Sequence, residues 1–85
     1  MKKHYVYIVR CKDNSYYTGW TTNLDKRIQA HNAGTGAKYT KARRPVILEY
    51  YEEYDDKSTA LKREYAIKQL SHHQKELLIK KVSSS

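Results

Sequence analysis

Two strand-forming runs separated by one short turn constrain this chain more than any other feature. Residues 5–10, Tyr-Val-Tyr-Ile-Val-Arg, are aromatic and β-branched, and residues 16–20, Tyr-Tyr-Thr-Gly-Trp, resume the same character. Between them Lys12-Asp13-Asn14-Ser15 carries turn chemistry, because Asp and Asn side chains bond their own backbone. The two runs are expected to pair as an antiparallel hairpin. With the turn centred on Asp13, Tyr17 faces Val9 and lies diagonally from Tyr7 on one face of the sheet. A slip of one residue would put the two rings on opposite faces.

The remaining elements follow from periodicity and capping. Thr22 with Asp25 three residues on predicts a capped helix over 23–32. Leu24, Arg27, Ile28 and His31 then share one stripe, the two aliphatic residues anchoring it to the sheet and the two polar ones reaching the edge of the core. Residues 33–44 read as a loop opening on Gly34 and Gly36, and all its charges (Lys38, Lys41, Arg43 and Arg44) are positive. Pro45 introduces a third strand over 46–54, with Val46, Ile47 and Leu48 as a buried segment. Asp55 or Asp56 can cap a second helix over 57–70, whose inward stripe is Ala60, Leu61, Glu64 and Ile67. Ser71 and Gln74 form a capping box for a last helix over 72–82, where Leu77, Leu78 and Val82 can pack. The order is ββαβαα.

Bulk properties narrow the class. Eighty-five residues suit a single domain, expected over 1–82, with Ser83-Ser84-Ser85 as a frayed tail. Phe is absent while Tyr occurs nine times, so several phenols are expected to line a surface or cleft where their hydroxyls find partners. A net charge of +8 on so small a body favours a polyanion, and nucleic acid is the commonest one. Cys11 stands alone, which excludes an internal disulfide and a cysteine zinc site and fits a reducing cytoplasm. No apolar run approaches the roughly 18 residues of a membrane span.

The candidate chemistry lies in five scattered side chains: Tyr7 and Tyr17 on the strands, Arg27 and His31 one turn apart on the first helix, and Glu64 on the second. Taken singly, each has a plainer reading. Strands use Tyr for packing, Arg27 and His31 suit a solvated helix face, and Glu64 can pair with Arg63 or Lys68. Their order and spacing together are less easily accidental. On these residues the chain resembles a GIY-YIG nuclease domain from Tyr5 to about Leu78, and most of all the small stand-alone bacterial members. The first motif stands as Tyr5-Val6-Tyr7 and the second as Tyr17-Thr18-Gly19. Arg27 lies ten residues past Tyr17, His31 follows one turn later, and Glu64 precedes Tyr65-Ala66-Ile67-Lys68.

The resemblance implies an α+β fold, a three-stranded antiparallel sheet flanked by three helices. It also implies a metal-dependent endonuclease that hydrolyses phosphodiester bonds in DNA, branched or single-stranded substrates included. Glu64 would be the ligand of one Mg²⁺ or Mn²⁺, and Arg27 would fork onto the phosphate. One tyrosine would deprotonate or orient the attacking water. A free phenol has a pKa near 10, so it needs help, and His31 is the expected helper, with Tyr7 beside it and Tyr17 positioning phosphate or water. Lys38, Lys41, Arg43 and Arg44 are the expected nucleic-acid contacts. The expected assembly is a monomer, with a protein partner as one source of specificity. Trp20 stands where some members have lysine, and no Asn follows Asn32. Those departures favour the rival reading, a nucleic-acid-binding module of the same fold that does not cut. A protein-interaction adaptor is a third. His72-His73 is not a metal pair, since adjacent residues on a helix point apart.

Overall fold

The computed structural model describes residues 2–83, and side chains as far as residue 81. Strand β1 (His4–Arg10) lies between β2 (Tyr16–Thr21) and β3 (Ile47–Tyr54), and both pairings are antiparallel. The hairpin register places Val9 opposite Tyr17 and Tyr7 opposite Gly19, so Tyr7 and Tyr17 share a face as expected. The turn is built as its composition implied. Asp13 Oδ1 accepts from the Ser15 amide at 3.1 Å, and Asn14 adopts a positive φ of 68°.

Because β1 is central, its side chains bury in both directions. Val6 and Ile8 face one side, under Ala60 and Ile67 of helix α3 (Lys57–Lys68) and under Leu78 and Ile79 of helix α4 (His72–Ser83). Tyr7 and Val9 face the other, packed with Val46, Tyr17 and Leu48 and with Leu24 and Ile28 of helix α1 (Leu24–Ala33). The architecture is therefore a three-stranded antiparallel sheet with helices on both faces.

Several local expectations are corrected. Asn23, not the Thr22/Asp25 pair, caps α1 by accepting from the Lys26 amide at 3.1 Å. The segment expected as a loop contains a short helix, α2 (Lys38–Lys41), so one more helical turn joins the order. Ile47 is 53% exposed although Val46 is buried, because alternation along a strand cannot turn three successive side chains inward. Leu61 is 39% exposed, since only Ala60 and Ile67 of its stripe meet the sheet squarely. Leu77 also faces out, and Ile79 packs inward with Leu78. Helix α3 ends at Lys68, two residues early. Val82 lies outside the described side chains, and Ser84 and Ser85 lie outside the described residues.

Two polar devices fasten the layers. Asn32, near the end of α1, accepts from the Val46 amide at 2.7 Å and donates to the Val46 carbonyl at 3.2 Å, which fixes where β3 begins. On the opposite face, Glu52 of β3 accepts both nitrogens of the Arg63 fork, at 2.8 and 3.0 Å, and the hydroxyls of Tyr50 and Tyr54. Arg63 holds the Glu52 carboxyl below its usual range against the opposing effect of burial. The Glu52 side chain is only 17% exposed, so its charge depends on that partner. Arg63→Ala should cost about 2 kcal/mol in urea unfolding, below the fully buried range because Arg63 itself is partly solvated. An unchanged urea midpoint would show that the clamp contributes nothing.

Candidate active site

Four of the five expected residues, Tyr7, Tyr17, Arg27 and His31, come together where α1 covers the sheet, and Glu64 lies on α3, which packs on the other face. Tyr7 and Tyr17 project from adjacent strands toward α1. Tyr7 is fully buried, and its ring lies across Gly19 of the edge strand. A Cβ at Gly19 would sit 2.6 Å from Tyr7 Cζ, so no other residue leaves room for the phenol. That steric requirement explains the glycine of the second tyrosine motif.

From α1, Arg27 and His31 come one turn apart onto the same hydroxyl. Arg27 Nε donates to Tyr7 Oη at 3.3 Å, and His31 Nε2 lies 2.8 Å from the same oxygen. The His31 ring meets both phenols edge-on, with centroids 5.8 Å from Tyr7 and 5.3 Å from Tyr17. On its far side His31 Nδ1 lies 2.8 Å from Thr40 Oγ1, and Thr40 also donates to the Ala37 carbonyl at 3.1 Å. Both His31 and Thr40 are fully buried. Gly36 gives His31 its space, because a Cβ there would lie 2.8 Å from His31 Cα. Neither Thr40 nor the role of Gly36 was read from the sequence. The one available signal was two glycines and a threonine within ten residues of a buried histidine.

Glu64 approaches from α3. Its side chain is 18% exposed, it pairs with Lys68 Nζ at 3.4 Å, and its charge is felt at the Tyr7 hydroxyl. The carboxylate is therefore largely shielded from bulk solvent. It already holds one cation, the lysine ammonium, and a hard anionic oxygen is what Mg²⁺ or Mn²⁺ takes. Among the described residues no group of three His, Cys, Asp or Glu is placed to hold a metal.

The four basic loop residues divide. Lys38 and Lys41 stand exposed on α2. Arg43 pairs with Asp13 at 3.1 Å, donates to the Tyr39 carbonyl at 2.8 Å and lies 4.0 Å over the Tyr39 ring. Tyr39 stacks in turn on Tyr17, centroids 5.8 Å apart, so Arg43 braces the wall of the site. Arg44 donates to the Lys41 carbonyl at 2.9 Å and to that of Asn32 at 3.4 Å.

Titration follows from this packing. Burial raises the Tyr7 pKa, and the Arg27 hydrogen bond opposes the rise. Burial lowers the His31 pKa from its ordinary value near 6.5, and the Arg27 charge adds to the effect. Folded His31 is therefore neutral at pH 7. Below about pH 6.5 the unfolded chain binds a proton that the folded chain refuses, so this contribution to stability is present above that pH and declines as pH falls toward the folded pKa. Unfolding by urea should occur at lower denaturant at pH 5.5 than at pH 7.5. His31→Gln should flatten that difference, and an equally steep dependence in the variant would assign it to other groups.

The GIY-YIG catalytic domain family matches residues 3–77. A UPF0213 protein of Staphylococcus haemolyticus is 65% identical over 75 residues, spanning 88% of this chain and 92% of that one. A UPF0213 protein of Halobacterium salinarum is 56% identical, spanning 88% and 97%. Among solved structures, a UPF0213 protein of Bacillus halodurans, determined by solution NMR, is 47% identical with a TM-score of 0.60, covering 92% of this chain and 83% of that one. An E. faecalis protein, also solved by NMR, is 41% identical with a TM-score of 0.67, covering 100% and 91%.

Proposed function

Because the chain belongs to the GIY-YIG catalytic domain family, we propose that it is a metal-dependent endonuclease that hydrolyses phosphodiester bonds in DNA, branched or single-stranded substrates included. The observation that carries this reading is the convergence of Arg27 and His31 on one buried tyrosine hydroxyl.

Each residue then has a task. Arg27 holds Tyr7 through its Nε and interacts with Tyr17 as well, and from there its guanidinium meets a phosphate and neutralises charge as it builds. Tyr7 is covered in the substrate-free protein, so phosphate and water enter where Arg27 and the half-buried Tyr17 border solvent. Tyr17 positions them. Tyr7 takes the proton of the attacking water as its own hydroxyl proton passes to His31 Nε2. The oxygen of that water bonds phosphorus and the bond from phosphorus to the 3′-side oxygen breaks, that oxygen leaving with the bonding pair. His31 suits this role because it is held neutral at pH 7. Glu64 is the residue that would hold one Mg²⁺ or Mn²⁺, which when bound supplies charge neutralisation at the phosphate and eases departure of the leaving oxygen.

Lys38 and Lys41 are the freest of the basic loop residues to meet the nucleic-acid backbone, with Arg43 and Arg44 shaping the loop that carries them. Among the described residues no helix is long and apolar enough to cross a membrane. A buried, unpaired Cys11 suits a reducing cytoplasm. We take the working unit to be a monomer whose specificity is low or supplied by a protein partner.

One observation favours a second reading. The Glu64–Lys68 pair occupies the metal-binding carboxylate, as suits a module of this fold that grips nucleic acid without cutting it. A nicking assay on branched, single-stranded and duplex DNA, with Mg²⁺, Mn²⁺ or chelator, separates the two. Glu64→Ala and Arg27→Ala should stay folded and lose cleavage by at least about 100-fold. Equal cleavage by parent and both variants would refute the mechanism, and metal-independent binding with no cleavage by the parent would select the second reading. Binding should weaken with salt at a log–log slope of about −0.9 per duplex phosphate neutralised. An affinity unchanged by salt would remove Lys38 and Lys41 from the interface.

A further inference from the structure

We infer that Thr40 is a positioning residue that fixes His31 as its Nδ1–H tautomer, so that the Nε2 lone pair faces the Tyr7 hydroxyl. The inference rests on the reading that His31 accepts a proton from Tyr7, and it asks what makes that transfer run in one direction.

The argument is a count of protons in a closed space. Four groups lie in line from solvent inward: Arg27, Tyr7, His31 and Thr40, with the Ala37 carbonyl at the end. The guanidinium has no acceptor atom, so Arg27 must donate to the Tyr7 oxygen. The Ala37 carbonyl has no proton, so the Thr40 hydroxyl that reaches it at 3.1 Å donates there. Two protons remain to be placed, one on Tyr7 and one on neutral His31. With His31 protonated at Nδ1, Tyr7 donates to Nε2, Nδ1–H donates to Thr40 Oγ1, and every donor in the line has an acceptor.

The other tautomer fails the count. An Nε2–H would point at a phenol oxygen that already receives Arg27. The Tyr7 hydroxyl proton would then have no acceptor, because its hydrogen-bond partners among the described residues are Arg27 and His31 alone. Tyr7 is fully buried, so bulk water is not a standing acceptor for that proton. An unmet buried donor costs about 1–3 kcal/mol, enough to fix the tautomer almost completely.

The same geometry sets the route of the proton. When the Tyr7 O–H bond breaks, its electron pair stays on the phenol oxygen and the proton goes to Nε2. The resulting imidazolium keeps its Nδ1–H on Thr40 Oγ1, and no proton moves on that side of the ring. Because Thr40 ends on a backbone carbonyl and not on solvent, the proton cannot leave by the far side. It is held at His31 until it returns through Tyr7.

The test reads the tautomer directly, independently of cleavage. The full-length protein, labelled with ¹⁵N, should show at pH 7.5 a His31 ring with a protonated Nδ1 and an unprotonated Nε2 in a two-bond ¹H–¹⁵N correlation spectrum. A protonated Nε2 in the parent would overturn the proposal, whether or not the protein cuts DNA. Thr40→Val keeps the side chain's shape and removes the hydroxyl. It should populate the Nε2–H form and lower the cleavage rate about 10–100-fold with KM nearly unchanged. Thr40→Ser should restore both the tautomer and the rate. A Thr40→Val protein that keeps the Nδ1–H tautomer would refute the role of the hydroxyl. Should that variant not fold, the parent spectrum and Thr40→Ser still decide, because a serine protein with the wrong tautomer would also overturn it. Failure of the nuclease reading shows separately, as a parent with the expected tautomer and no metal-dependent cleavage.

Discussion

The structure is organised around a phenol hydroxyl that has been taken out of water. Tyr7 sits on the central strand with its ring fully covered, and a polar group buried there must be hydrogen-bonded or it destabilises the fold. Its partners come from one helix, and one helical turn is the spacing that lets Arg27 and His31 reach a single oxygen. Space for the ring comes from Gly19 and space for the imidazole from Gly36. The glycines are thus the complement in shape of the two large polar side chains. Packing and site chemistry are satisfied by the same contacts.

The opposite face of the sheet shows how the carboxylate is placed. Arg63 and Glu64 are neighbours on α3 and take different partners. Arg63 grips Glu52 with both arms, while Glu64 pairs with Lys68 one turn on. A bidentate pair fixes rotation about the helix axis as well as distance. The same clamp therefore sets the position of Glu64, the next residue along the helix.

Much of this was legible in the sequence, for identifiable reasons. Tyr5–Arg10 and Tyr16–Trp20 carried a strong strand signal, and the Asp13-Asn14 turn fixed the register that brings Tyr7 and Tyr17 together. The 3.6-residue period was enough to put Arg27 and His31 on the stripe of Leu24 and Ile28. Contacts that arise only when distant segments meet were not legible. Thr40 lies nine residues from His31, in a stretch whose glycines and cations read as an irregular loop, and nothing local marks it as buried. The Asn32–Val46 link is of the same kind. Ile47, Leu61 and Leu77 were misjudged because hydrophobicity was taken for burial, and a chain this small has too little interior to cover every aliphatic side chain. The Asn23 cap was missed because Thr22 and Asp25 offered an equally plausible pattern one residue away.

The two faces of the sheet bury separate apolar clusters, one with Val6 and Ile8, the other with Tyr7 and Val9, and a single strand supplies both. Neither cluster is thick enough to persist on its own, and removing β1 from either removes it from both. Cooperativity is thus built into the arrangement. The molecule has no half that can melt first, and the two layers must come apart together.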